Sequence, residues 1–167
     1  MRIAQRQFSC DRCLPVAVLT LAMLLLNSQA LFAQGSVEEG VRAAVEGYYA
    51  GMREDKVDAR DRISAQGALQ FWSSGGLMIE IQGGSSGTEY EQINLHPKHI
   101  TVVPLTDDSA AVLYYLEGSM QPKGRPMVSR YLTRVTEAYV REDGAWKARV
   151  GHWSALQGGG GTNAPTD

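Results

Sequence analysis

Four polar side chains near the C-terminal end of the chain are of types that carry or support proton transfer. His152 and Ser154 share one face of a predicted strand, and Arg134 and Thr136 share one face of the strand before it. An imidazole can act as a general base or bind a ligand, and a guanidinium can bind a carboxylate. We predict that His152 is catalytic or ligand-binding and that Arg134, Thr136 and Ser154 line a pocket. The alternative is a structural His152, packed between strands, and an Arg134 on a solvated face.

A single carboxylate, Glu80, interrupts the apolar strand predicted at 77–81. A carboxylate in apolar surroundings can serve as a general acid or base, so Glu80 is the second candidate catalytic residue. Strand alternation gives a simpler alternative, in which Glu80 and Met78 face water while Leu77 and Ile79 pack inward.

Aromatic residues with polar tips can line a binding pocket, and Tyr48, Trp72 and Tyr114 are predicted to do so. Tyr49 and Tyr115 are further members of this set. Core packing is the competing role for each of these rings.

Other motifs give no support for a metal, a cofactor or a nucleophile. His96 and His99 have no nearby carboxylate in the sequence, and the glycine-rich segment 83–87 lacks the lysine and helix of a phosphate-binding loop. The chain has no Gly-x-Ser-x-Gly motif, which disfavours a serine hydrolase. We therefore predict no metal site and no cofactor.

Helices are predicted first along the chain. Ser36 and Glu39 form a capping-box pattern, and apolar residues at helical spacing follow over 37–54. A second, shorter helix is predicted to begin near Asp58 and to carry Ile63, Leu69 and Trp72. The pair Gly75 and Gly76 ends it.

Everything after the glycines is predicted to be strand. The strands cover 77–81, 99–105, 110–118, 128–141 and 146–156, and Asp143-Gly144 is a hairpin signal between the last two. This order predicts an α+β fold, with a strongly curved, mostly antiparallel sheet packed on N-terminal helices. A concave pocket is expected where the long strands bend around the helices.

The N-terminal segment 1–33 is predicted to be a signal peptide. It has Arg2, Arg6 and Arg12, then an apolar run over 14–26 that is too short for a stable membrane anchor, then a small residue before Gln34. Cleavage would remove Cys10 and Cys13, the two cysteines of the chain. We therefore predict an exported, periplasmic or secreted protein with one domain at 34–157 and a flexible tail at 158–167.

Composition and charge fit one globular domain without affinity for polyanions. The 167 residues are 44% hydrophobic and 20% charged, with a formal net charge of -2. Loss of three arginines and one aspartate with the signal peptide would make the charge -4. This balance gives no reason to expect a nucleic-acid partner.

The end of the chain resembles a known family. An R-x-T motif at Arg134 and Thr136 is followed by an acidic-Gly-x-Trp-Lys motif and an H-x-S motif at His152 and Ser154. The middle motif comprises Asp143, Gly144, Trp146 and Lys147. These motifs resemble the last two strands of SnoaL-like proteins of the nuclear-transport-factor-2-like superfamily. The association domain of calcium/calmodulin-dependent protein kinase II is similar in this stretch. Segment 71–77 departs from the pattern, because it replaces an acidic segment found in many SnoaL-like enzymes.

The resemblance implies a cone-shaped α+β fold with an internal pocket and a dimer formed through the sheet. It implies no single activity, because this fold supports isomerases, cyclases, hydrolases and binding domains. Acidic residues within predicted strands are few, at Glu80, Glu117 and Glu137, which favours binding over catalysis. We therefore predict non-catalytic binding of a small, partly apolar molecule by a homodimer. The alternatives are an isomerase, cyclase or dehydratase acting next to a carbonyl, and an oligomerising assembly module.

Overall fold

A computed structural model describes residues 36–156 of the chain. The predicted signal peptide and the predicted tail at 158–167 lie outside the described residues. Within the described range, no helix has the length and apolar character needed to cross a membrane.

One long helix, α1 (Val37–Asp55), begins at the predicted capping box. The Glu39 backbone amide donates to the Ser36 hydroxyl at 3.2 Å, and the Ser36 amide donates to the Glu39 carboxylate at 3.0 Å. These bonds satisfy donors that the first helical turn leaves open. The buried stripe of the helix comprises Val41, Val45, Tyr49 and Met52. Helix α1 is therefore anchored through one apolar face.

The second predicted helix is wrong. Residues Arg60–Arg62 form one short 3-10 turn, and the next regular element is strand β1 (Ala68–Phe71). Strand β1 pairs in parallel with a strand near the C-terminus, where Leu69 lies opposite Val150. This pairing partner is distant in sequence, and such tertiary pairing overrides the local helical spacing.

The sheet has six strands in the order β2-β1-β6-β5-β4-β3. After β1 come β2 (Ile79–Ile81), β3 (Tyr90–Thr106), β4 (Ser109–Pro122), β5 (Val128–Glu142) and β6 (Ala145–Ala155). Only the pairing of β1 with β6 is parallel among the described strands. The sheet is curved and open, and α1 packs on its inner face. The predicted α+β fold with a mostly antiparallel sheet is confirmed.

Strand β3 is much longer than the predicted strand at 99–105. It begins at Tyr90 and continues through Pro97, which an edge strand tolerates because one side needs no ladder donor. A register shift between Lys98 and Thr101 accompanies His99, whose φ is 53°. This bulge bends the edge of the sheet, and the polar composition of the first half of β3 had hidden it from sequence patterns.

Burial alternates along much of β4, β5 and β6 and thereby defines an inner and an outer face. One inner row crosses five strands at successive register positions, and it consists of Val102, Val112, Glu137, Gly151 and Gln70. The adjacent outer row consists of Thr101, Leu113, Thr136, His152 and Phe71. The inner face therefore carries a carboxylate, Glu137, at its centre.

Candidate functional site

A cavity of about 630 Å³ lies between α1 and the inner face of the sheet. Six aromatic residues form much of its wall: Tyr48, Tyr49, Trp72, Tyr90, Tyr131 and Trp153. Aliphatic side chains such as Met52, Leu95 and Leu116 complete the apolar part. The volume and the mixed apolar and hydroxyl lining are typical of a small-molecule site.

An ion pair lies at the wall of this cavity. Arg62 Nη1 donates to Glu137 Oε1 at 2.6 Å, and the two side chains are 10% and 1% exposed. Arg62 is the last residue of the 3-10 turn, while Glu137 points inward from the middle of β5. The guanidinium lies 4.0 Å from the centre of the Tyr48 ring and 5.7 Å from that of Trp153. Arg62 lines the cavity, whereas Glu137 is covered by its neighbours.

Three tyrosine hydroxyls complete the hydrogen bonding around Glu137. Tyr114 donates to Oε2 at 2.8 Å, and Tyr139 donates to the same oxygen at 3.4 Å. The Tyr49 hydroxyl lies 3.0 Å from that of Tyr114. The buried carboxylate is thus compensated by one cation and by hydroxyl donors, as a charge away from water requires.

Burial sets the protonation of these groups. Loss of water contact raises the pKa of Tyr49, Tyr114 and Tyr139, and the negative charge of Glu137 raises it further. Burial alone would lower the pKa of Arg62, but Glu137 together with the neighbouring tyrosines Tyr48, Tyr139 and Tyr49 outweighs it, and the pKa lies well above its ordinary value. The tyrosines are therefore neutral donors at neutral pH, and Arg62 is charged.

A second carboxylate, Asp58, lines the cavity next to this network. Tyr48 donates its hydroxyl proton to Asp58 Oδ1 at 2.5 Å, and Arg60 Nε donates to Oδ2 at 3.0 Å. Both oxygens of this carboxylate are consequently engaged. Asp58 fixes Tyr48, whose ring in turn packs on Arg62.

The segment between β1 and β2 contributes one rim of the cavity. Trp72 Nε1 donates to Gln70 Oε1 at 3.0 Å, and the Ser73 hydroxyl lies 2.9 Å from that of Tyr131 on β5. Arg125, in the turn between β4 and β5, lines the cavity at an exposed position. The rim is polar and the interior is largely apolar.

Across residues 36–156, no three side chains of histidine, cysteine, aspartate or glutamate are grouped so that they could hold a metal ion.

The structure brings the predicted polar cluster together on the outer face of the sheet. Thr136 lies opposite His152, and Arg134 lies opposite Ser154. Arg134, Thr136 and His152 are exposed and Ser154 is half-buried. None of these four side chains lines the cavity. The physical reason is that side chains alternate between the two faces of a strand. Val135 and Glu137 take the inward positions on β5, so Arg134 and Thr136 point outward. His152 instead packs edge-on against Phe71, with ring centres 5.7 Å apart.

The other predicted site residues divide between the cavity and the surface. Tyr48 and Trp72 line the cavity, and Tyr114 is buried directly behind its wall, bonded to Tyr49 and Glu137. Glu80 is exposed on β2 and accepts a hydrogen bond from Gln82 Nε2 at 2.8 Å. It does not line the cavity.

The sequence patterns did not identify Arg62, Asp58 or Glu137 as site residues. Glu137 had a usable signal, because it lies between Val135 and Tyr139 at strand spacing and must share their buried face. Asp58 and Arg62 had none, because they lie in the segment between α1 and β1, which only the fold brings to the cavity.

Sequence comparison gives no relatives: no protein-family sequence model matches the chain, and no curated protein matches it.

Solved structures, in contrast, share the fold. A nuclear-transport-factor-2-like protein of unknown function from Prochlorococcus marinus superposes with a TM-score of 0.56 at 19% identity, covering 75% of this chain and 97% of that one. A candidate scytalone dehydratase from Novosphingobium aromaticivorans gives 0.55 at 11% identity, covering 71% and 83%. A candidate calcium/calmodulin-dependent protein kinase II association domain from Xanthomonas campestris gives 0.51 at 19% identity, covering 75% and 91%. The chain has the nuclear-transport-factor-2-like fold, which confirms the fold predicted from the SnoaL-like ending.

Proposed function

We propose that this protein is an exported carrier or receptor that binds a small, partly apolar molecule in the cavity between α1 and the sheet, without transforming it. The observation that carries the proposal is the cavity lining. Six aromatic rings enclose about 630 Å³, and the charged groups inside are already paired.

Apolar burial supplies the affinity in such a site. Transfer of an apolar surface from water to the ring-lined cavity contributes roughly 25 cal/mol per Å². Rings with hydroxyl or indole tips, such as Tyr90, Tyr131 and Trp153, add orientation through hydrogen bonds. A ligand with a planar or partly apolar body fits this lining best.

The state of the carboxylates disfavours acid-base catalysis. A general base must reach the proton it abstracts. Glu137 is 1% exposed and enclosed by donors, and both oxygens of Asp58 accept hydrogen bonds. No histidine of residues 36–156 lines the cavity.

The competing proposal is a dehydratase-type or isomerase-type enzyme. One observation favours it: the hydrogen bond between Tyr48 and Asp58 lies at the cavity wall, where a substrate could displace it. The fold relative described as a candidate scytalone dehydratase is compatible with such chemistry. In this case Asp58 would move the proton and Tyr48 would stabilise an oxyanion.

Two further features belong to the proposal. The outer face of the sheet carries an apolar row of Val103, Ala111, Ala138 and Val150, flanked by the exposed Leu113 and Tyr115. Burial of this row between two copies would form a homodimer through the sheets.

Export would follow from cleavage before Gln34. The mass of the protein purified from its native compartment would test this cleavage.

Native mass spectrometry of the protein from its own source tests the binding proposal. We expect a small molecule to co-purify, and to be recovered unchanged after incubation with the protein. A second sample, Leu116→Gln, carries a polar side chain on the cavity wall and should retain less of it. If the wild type converts the recovered molecule and Asp58→Asn does not, the protein is an enzyme and the binding proposal is wrong.

A further inference from the structure

The guanidinium of Arg62 has one bonded nitrogen, Nη1, and an opposite edge, Nε and Nη2, that makes no hydrogen bond to residues 36–156. Nη1 donates to Glu137 at 2.6 Å and to the Tyr139 hydroxyl at 3.2 Å. Nε is buried without a hydrogen bond, and Nη2 makes no hydrogen bond within residues 36–156. The side chain is 10% exposed and lines the cavity. A buried, charged donor edge without an acceptor is unfavourable, and a ligand that supplies an acceptor would remove this cost.

The charges around this edge already cancel. Glu137 pairs with Arg62, and Asp58 pairs with Arg60. The remaining charged lining residue is Arg125, which is exposed at the rim. The interior of the cavity therefore offers hydrogen-bond donors without net charge.

We propose that Arg62 is a specificity-determining residue that selects an uncharged ligand carrying a hydrogen-bond acceptor oxygen at its buried end. This inference rests on the proposed binding function and names the chemistry of its ligand. The acceptor meets the free edge of the guanidinium, and the body of the ligand lies against the neighbouring rings of Tyr48 and Trp153.

A carboxylate would be selected against at the same position. It would share one guanidinium with Glu137 and place two like charges close together in a poorly hydrated site, where neither is easily compensated. A neutral acceptor takes the same hydrogen bonds without that repulsion. A hydrocarbon of the same shape would leave the donor edge unsatisfied.

Three matched probes distinguish these cases: 1-tetralone, with a neutral acceptor oxygen; tetralin, without one; and tetralin-1-carboxylate, with a charged one. The three tryptophans report binding through their indole N–H signals in two-dimensional NMR of the full-length protein. Trp72 and Trp153 line the cavity, whereas Trp146 does not and serves as the internal reference. We expect 1-tetralone to bind about tenfold more tightly than tetralin, and the carboxylate to bind less tightly than the ketone.

Two variants assign the preference to Arg62. The double variant Arg62→Met with Glu137→Gln removes both buried charges together, so that neither is left uncompensated. Whatever the change in its affinity for tetralin, it should lose most of the tenfold preference for the ketone over tetralin. Arg62→Lys is the second variant, and it serves the same test if the double variant does not fold. It retains the charge facing Glu137 but lacks the planar second edge, and it should lose the same preference for the ketone.

The outcomes separate the two proposals. Equal binding of ketone and tetralin, tightest binding of the carboxylate, or an undiminished ketone preference in the folded variants would each overturn the role of Arg62 and leave the cavity as a binding site. Absence of any shift at Trp72 and Trp153 with all three probes would overturn the proposed binding function and this inference with it.

Discussion

Arg62 and Glu137 are 75 positions apart in the sequence, and their side chains meet at 2.6 Å in the interior. The pair joins the 3-10 turn after α1 to the centre of β5. Through Tyr114 and Tyr49, its hydrogen bonds continue to α1. This network connects the helix to the sheet at the wall of the cavity, so its integrity governs both stability and binding.

Glu137→Gln should destabilise the protein strongly. The substitution keeps the shape of the side chain but leaves the buried Arg62 charge uncompensated, which costs about 3–5 kcal/mol. Chemical denaturation measures the loss in free energy of unfolding. The matched control is Glu117→Gln, which breaks a half-exposed pair with Lys98 at 3.8 Å and should cost less than about 1 kcal/mol. Similar losses for the two variants would contradict the importance assigned to the buried pair.

Stability should fall steeply in alkali. Burial raises the pKa of Tyr49, Tyr114 and Tyr139, whereas a tyrosine of the unfolded chain ionises near its ordinary pKa of about 10. The contribution of these neutral tyrosines to the free energy of unfolding is therefore fully present below about pH 10, and it is lost as the pH rises toward their pKa in the folded state. Each tyrosine contributes a slope of about 1.4 kcal/mol per pH unit in that window.

Denaturation curves between pH 9 and 11 measure this slope. In Tyr139→Phe the slope should decrease by the contribution of one tyrosine, even though the variant also loses two hydrogen bonds, to Glu137 and from Arg62. An unchanged slope would show that Tyr139 ionises alike in the folded and unfolded chains.

Gly151→Ala should disturb the cavity wall. A Cβ at this position would lie 2.5 Å from Cη2 and Cζ3 of Trp153, so the indole must move. Overpacking of this kind costs about 1–3 kcal/mol, and the Trp153 indole signal should shift in NMR spectra. Gly47→Ala is the control, because nothing lies within 4 Å of its Cβ on α1, and it should stabilise the protein by about 0.5–1 kcal/mol. A neutral Gly151→Ala with an unmoved Trp153 signal would refute the close contact.

Leu113→Arg should dissociate the proposed homodimer. Leu113 is 45% exposed on the outer face, next to the apolar row, and a guanidinium there would be buried between two copies. Sedimentation velocity should show wild-type dimers and variant monomers of unchanged fold. Ala50→Arg, on the exposed side of α1, should remain dimeric. A wild type that is monomeric at all concentrations would exclude the sheet-mediated dimer.

His152→Ala tests the function first predicted for the outer cluster. Because His152 contacts Phe71 outside the cavity, binding of 1-tetralone should change less than about twofold. A large loss of binding in a folded variant would restore His152 as a ligand contact and locate the site on the outer face.

Local patterns were sufficient for the elements that carry their own signals. The capping box at Ser36 and Glu39 predicted the start of α1, and Asp143-Gly144 predicted the hairpin, where both residues take positive φ values of 50° and 80°. Hairpins and helix caps depend on neighbouring residues, which the sequence displays directly. The second helix failed because β1 is stabilised by β6, a partner some eighty positions away that local spacing does not report.

The sequence by itself determined which side chains share a face of each long strand, because alternation is a local property of extended backbone. It placed Arg134 and Thr136 on one face of a strand, and His152 and Ser154 on one face of the next, but could not decide which face α1 would cover. That decision came from the tertiary structure, since burial of Val135, Glu137 and Tyr139 on the inner face of the sheet turns Arg134 and His152 to the outside. The cavity wall includes Asp58 and Arg62, which the segment between α1 and β1 brings to the sheet only when the whole domain has folded.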